Sequence, residues 1–268
     1  MCNLDTLFFS FKKGKRNVYT IMKISIITVT YNSVSTIEQT IQSVLNQTYK
    51  NIEFIIVDGV STDGTLDILN RYKSQIHKIV SEKDNGIYDA LNKGIDLATG
   101  DVIGILHSDD FYINSNVIEN IANTFNKKQC DALYANLYYV DKDDTNKIKR
   151  KWHSGNYNEG AFLNGWMPPH PTFFVKKEIY TKYGKFNLQF TSAADYELML
   201  RFIHKHKIKL AYLNEFIVKM RMGGKSNVTV KNRVTANMED RKAWEVNGLT
   251  PRFYTLTLKP LRKIVQFF

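Results

Sequence analysis

The residues of this chain that could do chemistry collect after its apolar runs. Thr30-Tyr31-Asn32-Ser33 follow one run, Asp58-Gly59 a second, Glu82, Asp84, Asn85 and Gly86 a third, and His107-Ser108-Asp109-Asp110 a fourth. Each cluster alone reads as a turn or a helix cap, and Ser61, Thr62 and Asp63 read as nothing more. As a set they fit the carboxyl edge of an open parallel sheet, where ligands bind. Asp109 and Asp110 are the sharpest feature. Adjacent carboxylates repel, and in a turn both can reach one locus. A hard cation such as Mg²⁺ or Mn²⁺ takes one or two carboxylates together with substrate phosphates, which would relieve the repulsion and leave a port for a diphosphate. The competing reading is a common capping turn. Asp195, at the start of a later helix, reads on its own as an N-cap.

The elements that must position these groups alternate short apolar runs with amphipathic stretches from Met22 to about residue 141. That pattern predicts an α/β fold, a Rossmann-like, mostly parallel sheet flanked by helices. Strands are expected at 23–29, 52–58, 77–81, 101–106 and 132–140. Between them lie helices, one with a capping box from Ser35 to Glu38 and one over 86–100 ended by its glycine. DKDDTNKIKRKWH reads as a polar hairpin, and residues 152–190 as an irregular, proline-bearing stretch. A helix at ADYELMLRFIHKH, an apolar strand KLAYLNEFIVKM and a helix over 229–246 follow.

The ordered set TVTYNS, IIVDGVSTDGT, SEKDNGIYDALNKGIDLATGD, LHSDDFY, PPHPTFF, SAADYELMLR and MGGKSN resembles the inverting family 2 glycosyltransferases with the A-type nucleotide-sugar fold, in particular bacterial members that build surface polysaccharide. The resemblance spans roughly residues 22–227. It implies a glycosyltransferase domain there, with a nucleotide-sugar-binding half at 22–141 and an acceptor-binding half at 142–227. It also implies roles. Val29, Tyr31 and Ser33 would lie by the nucleobase and ribose, and Asp58 would accept from a uracil-type imide. Asn92 and Lys93 would lie near the donor. Asp109 and Asp110 match the metal motif, with Asp110 the direct ligand to Mn²⁺ or Mg²⁺, and Asp195 matches the catalytic base. His170, Trp166, Gly224 and Ser226 are candidate acceptor or diphosphate contacts, each with a plain structural alternative. The chain departs from the pattern twice: Ser108 stands where a third acid often precedes the pair, and Ala194 stands where the base is usually preceded by Glu. The second departure concentrates the base role on Asp195.

Bulk properties bound the partners. The chain has 268 residues, 43% of them apolar, enough for a generous core. Cys2 and Cys130 make no disulfide framework or zinc pattern, which suits a reducing, cytoplasmic setting. The net charge of +11 sits mainly at the ends: Lys12, Lys13, Lys15 and Arg16 against Asp5 leave +3 in 1–21, and Arg252, Lys259, Arg262 and Lys263 give +4 in 247–268. A nucleic-acid binder would cluster basic residues on its folded core, so no nucleic acid is expected. No apolar run is long enough to span a bilayer. Residues 1–21 read as an extension outside the fold. The C-terminal tail, 228–268, mixes aromatics with cations. It suits either peripheral contact with the inner membrane face, where a lipid-linked glycan acceptor would lie, or packing on the domain or a second copy. A sugar-nucleotide nucleotidyltransferase is the enzymatic alternative, but it needs a Gly-rich basic loop after the first strand, and TVTYNSVST has none.

Overall fold

Runs of β-branched residues make the first two strands. In the computed structural model, which describes residues 21–223, 230–262 and 266, β1 (Ile24–Thr30) and β2 (Ile52–Asp58) pair in parallel over their whole length. β1 is buried throughout and β2 almost so, as strands covered on both faces must be. β3 (Lys78–Ser81) extends the parallel set beyond β2, and β4 (Val102–Ile105) lies on the other side of β1. The remaining strands among the described residues are β5 (Asp110–Tyr112), β6 (Ala132–Val140), β7 (Ile148–Trp152), β8 (Phe174–Lys176) and β9 (Leu210–Arg221). The sheet order is β3-β2-β1-β4-β8-β6-β9-β5, with β7 paired to β6. The set β3-β2-β1-β4 is parallel. From β8 onward the pairing is antiparallel, except that β6 and β9 run together.

The sheet divides the core in two. One face packs α3 (Ile87–Leu97) and α6 (Ala194–Met199), whose axis continues through a wider π-type turn over Leu200–Lys205. The other packs α1 (Ile37–Leu45), α2 (Thr65–Arg71) and α4 (Val117–Lys128). Gly94 lets α3 press onto β1, because a Cβ there would collide with the side chain of Ile27. α5 (Lys177–Tyr183), α7 (Val230–Val246) and α8 (Thr255–Leu261) complete the fold. The C-terminal helices dock on α6 and the loop before β8. Trp244 is fully buried and donates to the Tyr196 hydroxyl at 2.9 Å, Lys259 pairs with Asp240 at 2.6 Å, and Thr255 donates to the Leu163 carbonyl at 2.6 Å. No helix among the described residues is long and apolar enough to cross a membrane.

Two local expectations are corrected. The Ser35–Glu38 capping box does not form: α1 begins after Thr36 with no side-chain cap. The Glu38 carboxylate instead accepts from Tyr72 at 2.9 Å and Arg71 at 3.1 Å, donors from α2 that outcompete one backbone amide. Nor does Gly100 end α3. The helix stops at Ala98, which is extended. There Lys177 holds the Ala98 carbonyl at 2.6 Å, and Glu53 takes the Thr99 amide and hydroxyl at 2.7 and 2.6 Å.

Candidate active site

The four parallel strands deliver their polar ends to one edge, and the turns there are tied to one another. The Asn32 amide donates to Ser61 Oγ at 2.9 Å and its side chain accepts from the Thr62 amide at 2.8 Å, so the first two strand ends lock together. Ser33 and Ser108 share a hydroxyl hydrogen bond of 2.9 Å, which ties the first to the fourth. Asn32 holds a left-handed φ of 52°, a conformation its short polar side chain tolerates.

Asp110 opens β5 beneath this edge. Its amide donates to the His107 carbonyl at 3.0 Å, closing the turn, and the Thr40 hydroxyl donates to its carbonyl at 2.7 Å. The backbone is satisfied, but the carboxylate is not. Asp110 is fully buried, and neither carboxylate oxygen has a hydrogen-bond partner. Burial first, then the charge of Asp109, push its carboxyl well above the usual carboxylate range, with Arg221 only partly opposing. A buried, unpartnered carboxylate is costly to folding. A cation bound at this edge would offset that cost. Among the described residues, no group of three or more His, Cys, Asp or Glu side chains is arranged to hold a metal ion by itself. Asp110 and Asp109 are the residues that could hold a hard cation there, which takes one or two carboxylates together with substrate phosphates.

Two imidazoles lie at this turn. His107 and His170 lie with ring centroids 5.9 Å apart, and His170 meets Phe186 edge-on at 5.6 Å. Burial lowers His170 to about 4, against the pull of Asp195 and with a smaller push from His107. Burial likewise lowers His107, whose Nδ1 has no partner, against Asp109 and Asp195. Asp195 itself sits half-buried in the first turn of α6 and accepts from the Tyr88 hydroxyl at 3.3 Å. Glu239 of α7 caps the approach to it, taking the amides of Thr191, Ser192 and Ala193 at 2.8–2.9 Å and the Thr191 hydroxyl at 2.7 Å.

The other expected residues are less uniform. Tyr31 is 52% exposed at the edge, whereas Val29 points into the core face beneath α3. Asp58 is buried and already accepts from the Ser61 amide at 3.0 Å, Ser61 Oγ at 2.5 Å and Ser81 Oγ at 2.6 Å. Lys93 is drawn toward Glu82 at 2.9 Å and the Lys83 carbonyl at 2.6 Å, and the Glu82 contact raises its pKa. The Asn92 carboxamide is committed to both backbone groups of Phe186 at 2.9 Å. Trp166 is a buried anchor, donating to the Ser154 carbonyl at 2.8 Å and packed edge-on against Tyr134 and Phe162. Gly224 and Ser226 lie outside the described residues. Arg221, Tyr88 and Glu239 take part in the site without having been singled out in the sequence. Only Arg221 left a trace there, as a cation closing an apolar strand run just ahead of a glycine pair.

The family model for "Glycosyl transferase family 2" matches residues 25–196, which include every strand end described above and Asp195. The chain belongs to this family. Among related family 2 proteins, a PGL/p-HBAD biosynthesis glycosyltransferase of Mycobacterium bovis is 28% identical over 211 residues, 77% of this chain and 80% of that protein. The Escherichia coli enzyme WfaP, a UDP-Glc:alpha-D-GlcNAc-diphosphoundecaprenol beta-1,3-glucosyltransferase, is 40% identical over 123 residues, 45% of this chain and 47% of its own length. Among solved structures, S. aureus TarS 1-349 in complex with UDP-GlcNAc superposes with a TM-score of 0.65 at 17% identity, covering 84% of this chain and 65% of that one. That likeness establishes the A-type fold. The family 2 glycosyltransferase thus carries the fold and class that its sequence led us to expect.

Proposed function

We propose that this family 2 glycosyltransferase is metal-dependent and inverting, and moves a sugar from a UDP-sugar to a hydroxyl of a lipid-linked glycan in surface-polysaccharide synthesis. The observation that carries the reading is the buried Asp110 carboxylate, which has no partner for either oxygen and lies beside Asp109. WfaP, which uses UDP-Glc and a diphosphoundecaprenol acceptor, and TarS, which binds UDP-GlcNAc, support the donor and acceptor class.

In this reading Asp110 and Asp109 would hold Mn²⁺ or Mg²⁺, which would supply Lewis-acid neutralisation of charge on the diphosphate. Tyr31, Ser33 and Asp58 frame the nucleoside, with Val29 behind them and Lys93 on the donor side. Asp58 retains lone-pair capacity beyond its three donors for a pyrimidine imide. Asp195 takes the proton of the acceptor hydroxyl as its oxygen bonds to the anomeric carbon and the bond to the diphosphate breaks on the opposite face, which inverts that centre. His170, held neutral by burial, can donate to a phosphate or hydroxyl without adding charge, and Trp166 shapes the acceptor wall from behind. Residues 22–141 form the donor half and 142–227 the acceptor half. The basic C-terminal tail, with Phe253 96% exposed beside Arg252, favours contact with an anionic membrane face.

The test is UDP release from a panel of UDP-sugars with a GlcNAc-diphospholipid acceptor, with Mn²⁺ or with chelator. Release should require the metal. Asp195→Ala should lower transfer by about 10²–10⁴-fold, the usual worth of a general base, while still binding UDP with Mn²⁺. Normal transfer by Asp195→Ala would remove it as the base.

A further inference from the structure

The stretch DNGIYDALNKG leads into α3, and one of its side chains, Tyr88, reaches Asp195. The Tyr88 hydroxyl donates to Asp195 Oδ1 at 3.3 Å across 107 residues of sequence. The Tyr88 ring stacks on Phe186, with centroids 5.5 Å apart and planes 27° off parallel. Phe186, itself buried, is pinned one helical turn further along α3: Asn92 donates to its carbonyl and accepts from its amide, both at 2.9 Å. The other side of the Phe186 ring meets His170 edge-on. Asn92, Phe186 and Tyr88 therefore form one rigid unit whose only polar end aimed at the site is the Tyr88 hydroxyl.

Each link has a physical reason. Residues 88 and 92 are i and i+4 on α3, so both project to one face and meet the same neighbour. A side-chain amide that satisfies both backbone groups of one residue fixes that residue in position and rotation. An aromatic stack then transmits the placement to Tyr88 without a flexible joint.

We propose that Tyr88 is a positioning residue for this reaction: its hydroxyl holds the Asp195 carboxylate in the orientation that accepts the acceptor proton, and Asn92 serves that arrangement through Phe186 and does not bind the donor. This rests on the reading of Asp195 as the base. Tyr88 is suited to the task because burial, then the charge of Asp195, raise its pKa far above neutrality, so it stays a donor at any working pH. A carboxylate with one oxygen held this way presents the other to the incoming hydroxyl in a defined direction. Misalignment of a catalytic group by a fraction of an ångström is costly in rate and leaves binding intact.

The test compares Tyr88→Phe, Asn92→Ala and Asp195→Ala in the full chain, measuring kcat with the UDP-sugar the panel selects, the Kd of UDP in the presence of Mn²⁺, and the melting temperature. Tyr88→Phe should lower kcat by about ten- to a hundredfold, the worth of a hydrogen bond to a charged group, with UDP affinity and melting temperature unchanged. Asn92→Ala should lower kcat in the same sense with UDP affinity unchanged, so the inference remains testable even if one variant folds poorly. Wild-type kcat in Tyr88→Phe overturns it. So does a loss of UDP affinity that accounts for the loss of kcat in either variant, since that would assign α3 to the donor. If Asp195→Ala transfers normally, it is the base assignment that fails, whatever Tyr88→Phe does.

Discussion

The guanidinium of Arg221 donates to the backbone carbonyl of Asp109 at 2.5 Å, across 112 residues of sequence, while its second arm donates to Gln39. Arg221 is buried, lies over the Phe111 ring at 5.1 Å, and is the cation that partly offsets Asp109 and Asp110. The last residue of β9 thus braces the turn that carries the acidic pair. Arg221→Lys keeps the charge but loses the fork that spans both acceptors. We expect it to weaken UDP affinity in the presence of Mn²⁺ by about tenfold, the scale of one lost charge-assisted hydrogen bond, as read by calorimetry. Affinity equal to wild type would show that the brace is dispensable.

As a metal ligand, Asp110 would trade stability for function. Replacing its buried, unpartnered carboxylate by a neutral isostere removes a desolvation cost of about 1–3 kcal/mol. Asp110→Asn should therefore melt higher than wild type in chelator, by about 2–4 °C per kcal/mol for a chain of this size. The same variant should lose both transfer and the upward shift in melting that Mn²⁺ with UDP gives the wild type. A lower melting point in chelator would mean that the carboxylate is satisfied in solution.

Glu239 ties α7 to the segment just before Asp195 through four hydrogen bonds to residues 191–193. Burial alone would raise its pKa, but those donors outweigh it and hold it below the ordinary value. Glu239→Ala leaves three amides at the start of α6 without that acceptor, and should destabilise the protein by about 1–3 kcal/mol. It should also lower kcat more than Glu239→Gln, which keeps one carbonyl acceptor. Thermal melts and kcat measured on both variants check the order; equal effects would count against the cap.

Glu53 sets an acid limit on stability. Its burial would raise the pKa, but Lys23, Ser25 and Thr99 donate to it and bring it down to about 2. A folded-state pKa below the unfolded one means that its stabilisation is complete above the unfolded value, and is lost as pH falls from about 4.5 toward 2. Glu53→Gln should lower the melting temperature near neutrality, and the gap to wild type should close as the solution is acidified through that window. A gap independent of pH would exclude the charge as its source.

Much of this architecture could be read in advance because burial on both faces leaves a local signature. β2 and β6 occupy the residues expected of them, since their runs of Ile, Val, Leu and Tyr have no alternative that buries as much. The acidic turn and Asp195 were legible as residue types at strand and helix ends. Competition between partners was not. Glu38 and Thr99 chose side chains from other elements over the local caps that their own neighbours offered. Asn92 was assigned by motif to the donor side, yet its amide is engaged by Phe186, 94 residues away.

The sequence by itself determined the class: an α/β sheet with polar strand ends, an adjacent aspartate pair and a later lone acid, in the order and spacing of family 2. These are local properties, written in hydrophobic period and in short motifs. The tertiary structure alone decided that Asp110 is buried with both oxygens unpartnered, that Arg221 supports its turn, that Tyr88 reaches Asp195, and that Glu239 holds the residues just before it. Whether a carboxylate is a cap, a ligand or a base depends on what else is brought within hydrogen-bond reach. Those neighbours arrive from 46 to 112 residues away, a distance over which local sequence carries no information.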